Sequence, residues 1–152
     1  MNTIRLKRTT SDDPDFRGLV QQLDADLRIT NGAMMDIYDQ YNIIEKNDTV
    51  IVAYLNDEPA GCGCFKPYNT TAVEVKRMFV RHSARGNRIS ALVLKELETW
   101  AQELGFMATV LETGSKQFEA LGLYQKYGYT QTPKYPPYVD LPDSVCFKKD
   151  LQ

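Results

Sequence analysis

The residues best suited to chemistry lie in one continuous stretch, Glu74-Val75-Lys76-Arg77-Met78-Phe79-Val80-Arg81-His82-Ser83-Ala84-Arg85-Gly86-Asn87-Arg88-Ile89-Ser90. A β-rich run passes into a loop holding Arg, Gly and Ser, and the loop opens directly onto a helical pattern. Free N–H groups at a helix start, the positive end of the helix dipole and several nearby cations together attract an anion. A phosphate-bearing ligand is the natural occupant. An ordinary strand-to-helix connection with solvated arginines has the same composition, and the loop alone leaves both readings open. It is neither a Walker loop, lacking Gly-Lys-Ser/Thr after a four-residue spacer, nor the three-glycine dinucleotide fingerprint.

The elements that must position this stretch follow from periodicity. Ile4 and Leu6 alternate with polar neighbours, which predicts a half-buried strand over Thr3–Thr10. Asp13 as N-cap and Pro14 as first helical residue open a helix with Phe16, Leu19, Val20, Leu23 and Leu27 on one face. A second, shorter helix is expected from Ala33 to about Ile44, after the Asn31-Gly32 break. Val50–Leu55 and Ala60–Lys66 read as a hairpin around Asn56-Asp57-Glu58-Pro59, with Ala72–Val80 as the next strand. Gly61 and Gly63 remove side chains from one face of the hairpin, which suits close approach of another group, a bulge or tight packing.

Ile89, Leu92, Val93, Leu97, Trp100, Ala101 and Leu104 recur at helical spacing up to the stop at Gly105. A strand at Met107–Leu111, a helix at Lys116–Tyr127 ended by Gly128, a short strand at Tyr129, a Pro-rich loop and a final strand at Ser144–Lys149 complete the order. The sum is one α/β domain over residues 1–152.

Composition bounds the function. The 152 residues are 43% hydrophobic and 25% charged, enough apolar surface for a core without metal or disulfide staples. The 18 basic and 20 acidic residues leave a net charge of −2, against the basic excess of a dedicated nucleic-acid binder. Three cysteines, Cys62, Cys64 and Cys146, and a single histidine, His82, argue for a reduced, cytoplasmic protein with no zinc site. No apolar run reaches membrane-spanning length and no signal peptide is evident, so no membrane partner is expected.

The loop resembles the acetyl-CoA loop of the GNAT superfamily of N-acetyltransferases, Arg/Gln-x-x-Gly-x-Gly/Ala between a central strand and a long helix. Arg85 takes the first position, Gly86 and Asn87 the variable pair and Ser90 the last small position, while the family's first glycine falls on Arg88. Glu74–Val80 looks like the family's central strand. Leu111-Glu112-Thr113-Gly114 and Ala120-Leu121-Gly122-Leu123-Tyr124-Gln125-Lys126-Tyr127-Gly128-Tyr129 look like its next strand and helix, and Tyr138–Ser144, Phe147 and Lys148 like its closing strands.

The resemblance implies a central mixed, mostly antiparallel sheet flanked by helices. It also implies direct transfer of acetyl from acetyl-CoA to a primary amine, in a ternary complex and without metal. Met78, Phe79 and Val80 would contact the acetyl-pantetheine arm, and Arg85, Gly86, Asn87, Arg88, Ile89 and Ser90 would hold the pyrophosphate. Tyr124 falls at the family's general-acid position. Glu74 is the candidate base, matched to a strand glutamate of some members and expected on the same face as Met78 by period-two alternation.

The acceptor, a small-molecule amine, would enter between the N-terminal helices and the loop before the final strand. Tyr38, Tyr41, Tyr135 and Tyr138 would wall that entry, with Asp36, Asp39 and Glu45 to attract a cation. The resemblance also admits a homodimer, an acceptor amine on a protein, or a coenzyme-binding module that has lost turnover, with Arg88 as the motive.

Overall fold

The computed structural model describes residues 2–31 and 45–151, with side chains omitted for 28–31. Among the described residues the order matches the periodicities closely. The helix expected over Ala33–Ile44 lies outside the described residues.

Strand β1 (Ile4–Thr9) leads to helix α1 (Pro14–Asn31), then β2 (Val50–Leu55), β3 (Glu58–Pro67) and β4 (Ala72–Val80). A short 3-10 turn (His82–Ala84) precedes α2 (Ile89–Glu103), followed by β5 (Ala108–Gly114), α3 (Phe118–Lys126), β6 (Thr130–Thr132) and β7 (Ser144–Asp150). Asp13 caps α1 as its type predicts, its Oδ1 accepting from the Asp15 N–H at 2.8 Å. Asn56 and Asp57 both take positive φ, 52° and 68°, as a two-residue hairpin turn requires.

The seven strands form one sheet in the order β1-β2-β3-β4-β5-β7-β6. Every neighbouring pair is antiparallel except β4 and β5. Alternation divides the side chains between two faces. Val50, Val52, Tyr54, Cys62, Cys64 and Phe79 pack with Phe16, Leu19 and Val20 of α1 on one face. Ile51, Ala53, Val73, Val75, Leu111 and Phe147 pack with Val93, Leu94 and Leu97 of α2 and Tyr124 of α3 on the other. Beyond β5, the α1 face is covered by Tyr135, Tyr138 and Leu141 from the Pro-rich loop.

The two hairpin glycines serve close packing. A Cβ on Gly61 would stand 2.9 Å from Ile89 Cγ2 and from the Phe79 carbonyl oxygen. On Gly63 it would meet Met78 Sδ at 2.6 Å and both Val93 and Leu97 at 3.0 Å. Bare backbone on β3 therefore lets α2 settle onto the centre of the sheet.

Two features open the sheet at its middle. β4 and β5 pair only over Ala72–Val75 and Ala108–Leu111. β5 stays paired along its whole length with β7, so Lys76–Val80 and Glu112–Gly114 part from each other. In addition β4 carries a bulge: Cys62 opposes Phe79 and Cys64 opposes Lys76, leaving Arg77 and Met78 against Gly63. Arg77 absorbs the extra residue with φ 62°.

Candidate active site

The gap between the parted strands is a cavity of about 130 Å3. Val75, Lys76, Arg77 and Met78 of β4 form one wall and Glu112, Thr113 and Gly114 of β5 the other. Leu23 and Leu27 of α1 close it on one side of the sheet, and Ala120 and Tyr124 of α3 on the other. Lacking strand partners across the gap, the Lys76–Val80 backbone is open there to a bound group. The space continues into a second cavity of about 260 Å3 bordered by Met78, Phe79, Val80, Arg85, Ser90 and Tyr124. A third, of about 280 Å3, follows beneath Arg85, Gly86, Arg88, Ile89 and Ser90. The result is a trench running from the start of α2, along β4 and α3, to the gap.

At its outer end the trench meets the N-terminus of α2, whose capping residue, Arg88, makes no side-chain cap hydrogen bond. The first N–H groups of α2 are thus left for a ligand. Gly86 and Arg88 both adopt positive φ, 88° and 62°. Arg88 therefore follows the path expected of a glycine, its exposed side chain bordering the trench. Asn87 shapes the loop from within, its Nδ2 donating to the Ala84 carbonyl at 2.9 Å. Arg85 donates through Nε to the Val80 carbonyl at 3.1 Å and lies 3.5 Å from Asp26 and 3.8 Å from Glu119. Exposed His82 also lies on Asp26, at 3.4 Å.

Of the residues expected to bind coenzyme, Met78, Phe79, Val80, Arg85, Gly86, Arg88, Ile89 and Ser90 border the trench. Asn87 borders none of these cavities. The cationic stretch does not stay together: Lys76 and Arg77 turn to the gap, Arg81 lies 3.6 Å from Glu58, and Arg85 and Arg88 flank the α2 start. Sequence reasoning missed Gln117. It borders the gap and the second cavity, and its Nε2 is buried with no hydrogen-bond partner among the described residues.

Tyr124 borders both the gap and the second cavity. Its ring packs on Tyr129 and Phe147, with centroids 5.6 and 6.1 Å apart. Burial, then the charge of Glu112, raises its phenol well above the ordinary range, so it holds its proton at neutral pH.

Glu74 is placed differently from expectation. The bulge at Arg77 breaks the alternation, so Met78 packs toward α2 while Glu74 lies on the opposite face of the sheet. There Glu74 is buried, its Oε2 accepting from Tyr135 Oη at 2.9 Å, with Lys66 Nζ 4.0 Å from Oε1. It borders none of the cavities above. Tyr135 and Tyr138 are buried beside it, their phenols raised chiefly by desolvation. Tyr38, Tyr41, Asp36 and Asp39 lie outside the described residues, and Glu45 is exposed.

Among the described residues, the carboxyl group that does border the gap is that of Glu112. Its Oε2 accepts from Ser144 Oγ at 2.7 Å. Burial is the main cause that pushes its pKa up to about 7, with the charge of Glu74 adding; Ser144, Lys76 and Lys134 oppose the rise. In the sequence Glu112 is one polar residue after the apolar pair Val110-Leu111, and only the resemblance drew attention to its segment.

The cysteines are free and buried. Desolvation pushes the Cys64 thiol up to about 12 and Cys62 higher still, which keeps both protonated and poor as nucleophiles. No cluster of metal-ligating side chains occurs among the described residues, nor any helix long and apolar enough to cross a membrane.

A mixed sheet that splits between two parallel strands beside an uncapped helix start is the frame of this α/β fold. The acetyltransferase (GNAT) family profile matches residues 13–129, and the chain belongs to that family of N-acetyltransferases. It is 35% identical over 102 residues to an "IAA acetyltransferase" of Azospirillum brasilense, spanning 66% of this chain and 67% of that protein. It is 34% identical over 101 residues to the uncharacterized N-acetyltransferase YsnE of Bacillus subtilis, spanning 65% and 67%. Among solved structures it resembles an acyl-CoA N-acyltransferase described as putative from Klebsiella pneumoniae, with TM-score 0.77, 27% identity and coverage of 100% and 99% of the two chains. A GNAT acetyltransferase of Elizabethkingia anophelis with acetyl-CoA bound shares the fold, with TM-score 0.69, 22% identity and coverage of 97% and 98%.

Proposed function

We propose that the protein transfers the acetyl group of acetyl-CoA directly to the primary amine of a small molecule, both substrates being bound at once. The observation that carries this is the continuity of the trench: an anion site at the α2 start, a corridor along an unpaired strand edge, and a through-sheet gap at its end. A long thioester with a polyphosphate at one end fits such a corridor.

The fit is supported by three features. The α2 N–H groups, with the Arg88 backbone on a glycine-like path, and the Arg85 side chain suit the pyrophosphate. The unpaired edge of β4 over Met78, Phe79 and Val80 suits the amides of the arm. The unpartnered Gln117 Nε2 suits a carbonyl of the same arm.

Tyr124 and Glu112 then flank the gap from α3 and β5. An amine entering from the α1 face presents its nitrogen to the thioester carbon, and Glu112 accepts the proton it sheds as the C–N bond forms. As the C–S bond breaks, Tyr124 donates its proton to the departing sulfur. One proton leaves nitrogen and one reaches sulfur, so a single proton passes between the two residues to restore the site. A carboxylate with a pKa near 7 suits a base working at neutral pH. Glu112 takes the role that the resemblance suggested for Glu74, because Glu74 is engaged by Tyr135 away from the cavities.

The test is an acetyl-CoA assay over a panel of amines, following free thiol and acetylated product together. Product in step with thiol supports transfer. Thiol without product would mean hydrolysis, and neither with any amine would leave a binding module. Tyr124→Phe is expected to lower kcat about 10- to 1000-fold, bracketing a typical general-acid contribution, with the Kd of acetyl-CoA within about threefold. Unchanged turnover would remove Tyr124 from the mechanism.

A further inference from the structure

The β4 bulge does more than part the strands. It puts two successive cations, Lys76 and Arg77, on the wall of the gap opposite Glu112. Arg77 is unusual in two independent ways. Its backbone is left-handed at φ 62°, a conformation that costs a residue with a long side chain and recurs where function holds it in place. Its side chain is only 7% exposed, yet among the described residues the guanidinium has one side-chain partner, Asp24 Oδ1 at 3.3 Å from Nη1. Nη2 is buried with no hydrogen-bond partner among the described residues. A buried, half-satisfied guanidinium is expensive in a folded protein, and a planar fork short of a partner suits a carboxylate.

Position tells which substrate would supply that partner. Arg77 reaches toward α1, as its Asp24 contact shows, whereas Tyr124 packs in the core on the α2 face of the sheet. The corridor is bordered by Leu23, Asp26 and Leu27 of α1 as well as by α3, but by neither Arg77 nor Glu112; these two border the gap at its inner end, where the acetyl group would meet an acceptor. The inner end of the site thus carries a carboxyl group on β5 and a guanidinium on β4, on facing walls of the gap.

We propose that the acceptor is an amine that also bears a carboxylate, an amino-acid-like molecule, held through that carboxylate by Arg77 with its amine turned to Glu112. This rests on the acetyl-transfer reading above. Recognition by Arg77 fixes the direction of the nitrogen, since one end of the molecule is anchored at β4 while the other faces β5 across the gap. Discrimination follows as well: a neutral analogue leaves Nη2 of the buried guanidinium without a partner in the complex, which weakens its binding.

The experiment compares matched acceptors at saturating acetyl-CoA: L-phenylalanine with L-phenylalaninamide and phenethylamine, β-alanine with propylamine, and L-alanine with ethylamine. The readout is kcat/KM for thiol release with product confirmed. The wild-type protein is expected to favour the carboxylate member of at least one pair by tenfold or more. In Arg77→Leu that ratio falls to within about threefold, mainly through KM, and Arg77→Lys keeps part of it. The Kd of acetyl-CoA measured by calorimetry stays within threefold in both variants.

Equal rates within every pair, or a preference for the neutral members, would overturn the proposal while leaving acetyl transfer standing. A carboxylate preference that survives in Arg77→Leu would overturn the assignment to Arg77. A large loss of acetyl-CoA affinity in the variants would overturn it too, by giving Arg77 to the coenzyme. No turnover with any amine would overturn this proposal together with the reading on which it rests. Should Arg77→Leu fail to fold, the wild-type ratios and Arg77→Lys still decide.

Discussion

Arg88 holds a left-handed backbone, φ 62° and ψ 23°, at the position where the family pattern has glycine. Its N–H groups and its neighbours nonetheless keep the path that a phosphate site needs, so the substitution is borne as strain rather than as a changed loop. For a non-glycine residue that strain is worth roughly 1 kcal/mol. Arg88→Gly should therefore raise the melting temperature by about 2–4 °C for a chain of this size, less whatever the freer unfolded chain gives back. Acetyl-CoA affinity should hold or tighten; a large loss by calorimetry would make the side chain itself a main ligand.

Glu112 gives the second residue-scale prediction. Its folded pKa, up to about 7, lies above that of the same group in the unfolded chain, so the folded form binds the proton more tightly. Its contribution is favourable below the unfolded carboxylate range and is lost as pH rises through 7. Glu112→Gln should accordingly stabilise the protein at pH 8 by about 2 kcal/mol relative to wild type. At pH 4 the gain should vanish. Denaturant melts at the two pH values measure the difference, and an equal effect at both would place the shift elsewhere.

At the scale of elements, the periodicities located the strands and the three described helices because burial of one face is written into residue order. Phe16, Leu19 and Val20 are buried under α1, and Val93, Leu94 and Leu97 under α2, as their spacing requires. The bulge was not legible in the same way. A period-two reading carries Glu74 and Met78 to one face, and nothing in the residue types around Arg77, an ordinary strand residue by composition, marks the inserted position. That single irregularity puts Met78 on the face opposite Glu74 and turns Arg77 toward α1, while Glu74 stays in the paired part of β4, short of the cavity. Glu112 was illegible for a different reason, since a lone strand carboxylate becomes notable only when β5 leaves β4 and a cavity opens beside it.

The glycines of β3 were legible as removals of side chains, and their purpose emerges from α2. Gly61→Ala would press a methyl to 2.9 Å from the Phe79 carbonyl oxygen, which is backbone and has little room to yield. The expected cost is about 1–3 kcal/mol of stability, measured by denaturant unfolding. Because Ile89, also 2.9 Å away, opens α2 beside the anion site, the same change should weaken acetyl-CoA binding. A variant that is destabilised but binds normally would show that the α2 start does not depend on this contact.

For the molecule as a whole, the sheet is one continuous surface cut at a single place, and the function depends on what can pass through the cut. The outer end of the trench is built from the β4-to-α2 loop, the inner end from the parted strands and α3. These parts meet at Ala120, a small side chain that borders both the gap and the corridor. Ala120→Trp would fill that junction with a ring of a size the combined space can hold, leaving the α2 start untouched. Because Ala120 also packs against the edge of the core, the larger side chain should cost about 1–3 kcal/mol of stability, so binding is compared on folded protein. Acetyl-CoA should bind at least tenfold more weakly, because its arm is excluded, while ADP, which has a pyrophosphate and no arm, should bind as it does to wild type. Calorimetry with the two ligands separates the ends of the site: an equal loss for both would mean that the trench does not divide into a phosphate end and an arm end, and unchanged acetyl-CoA affinity would move the arm out of the gap altogether.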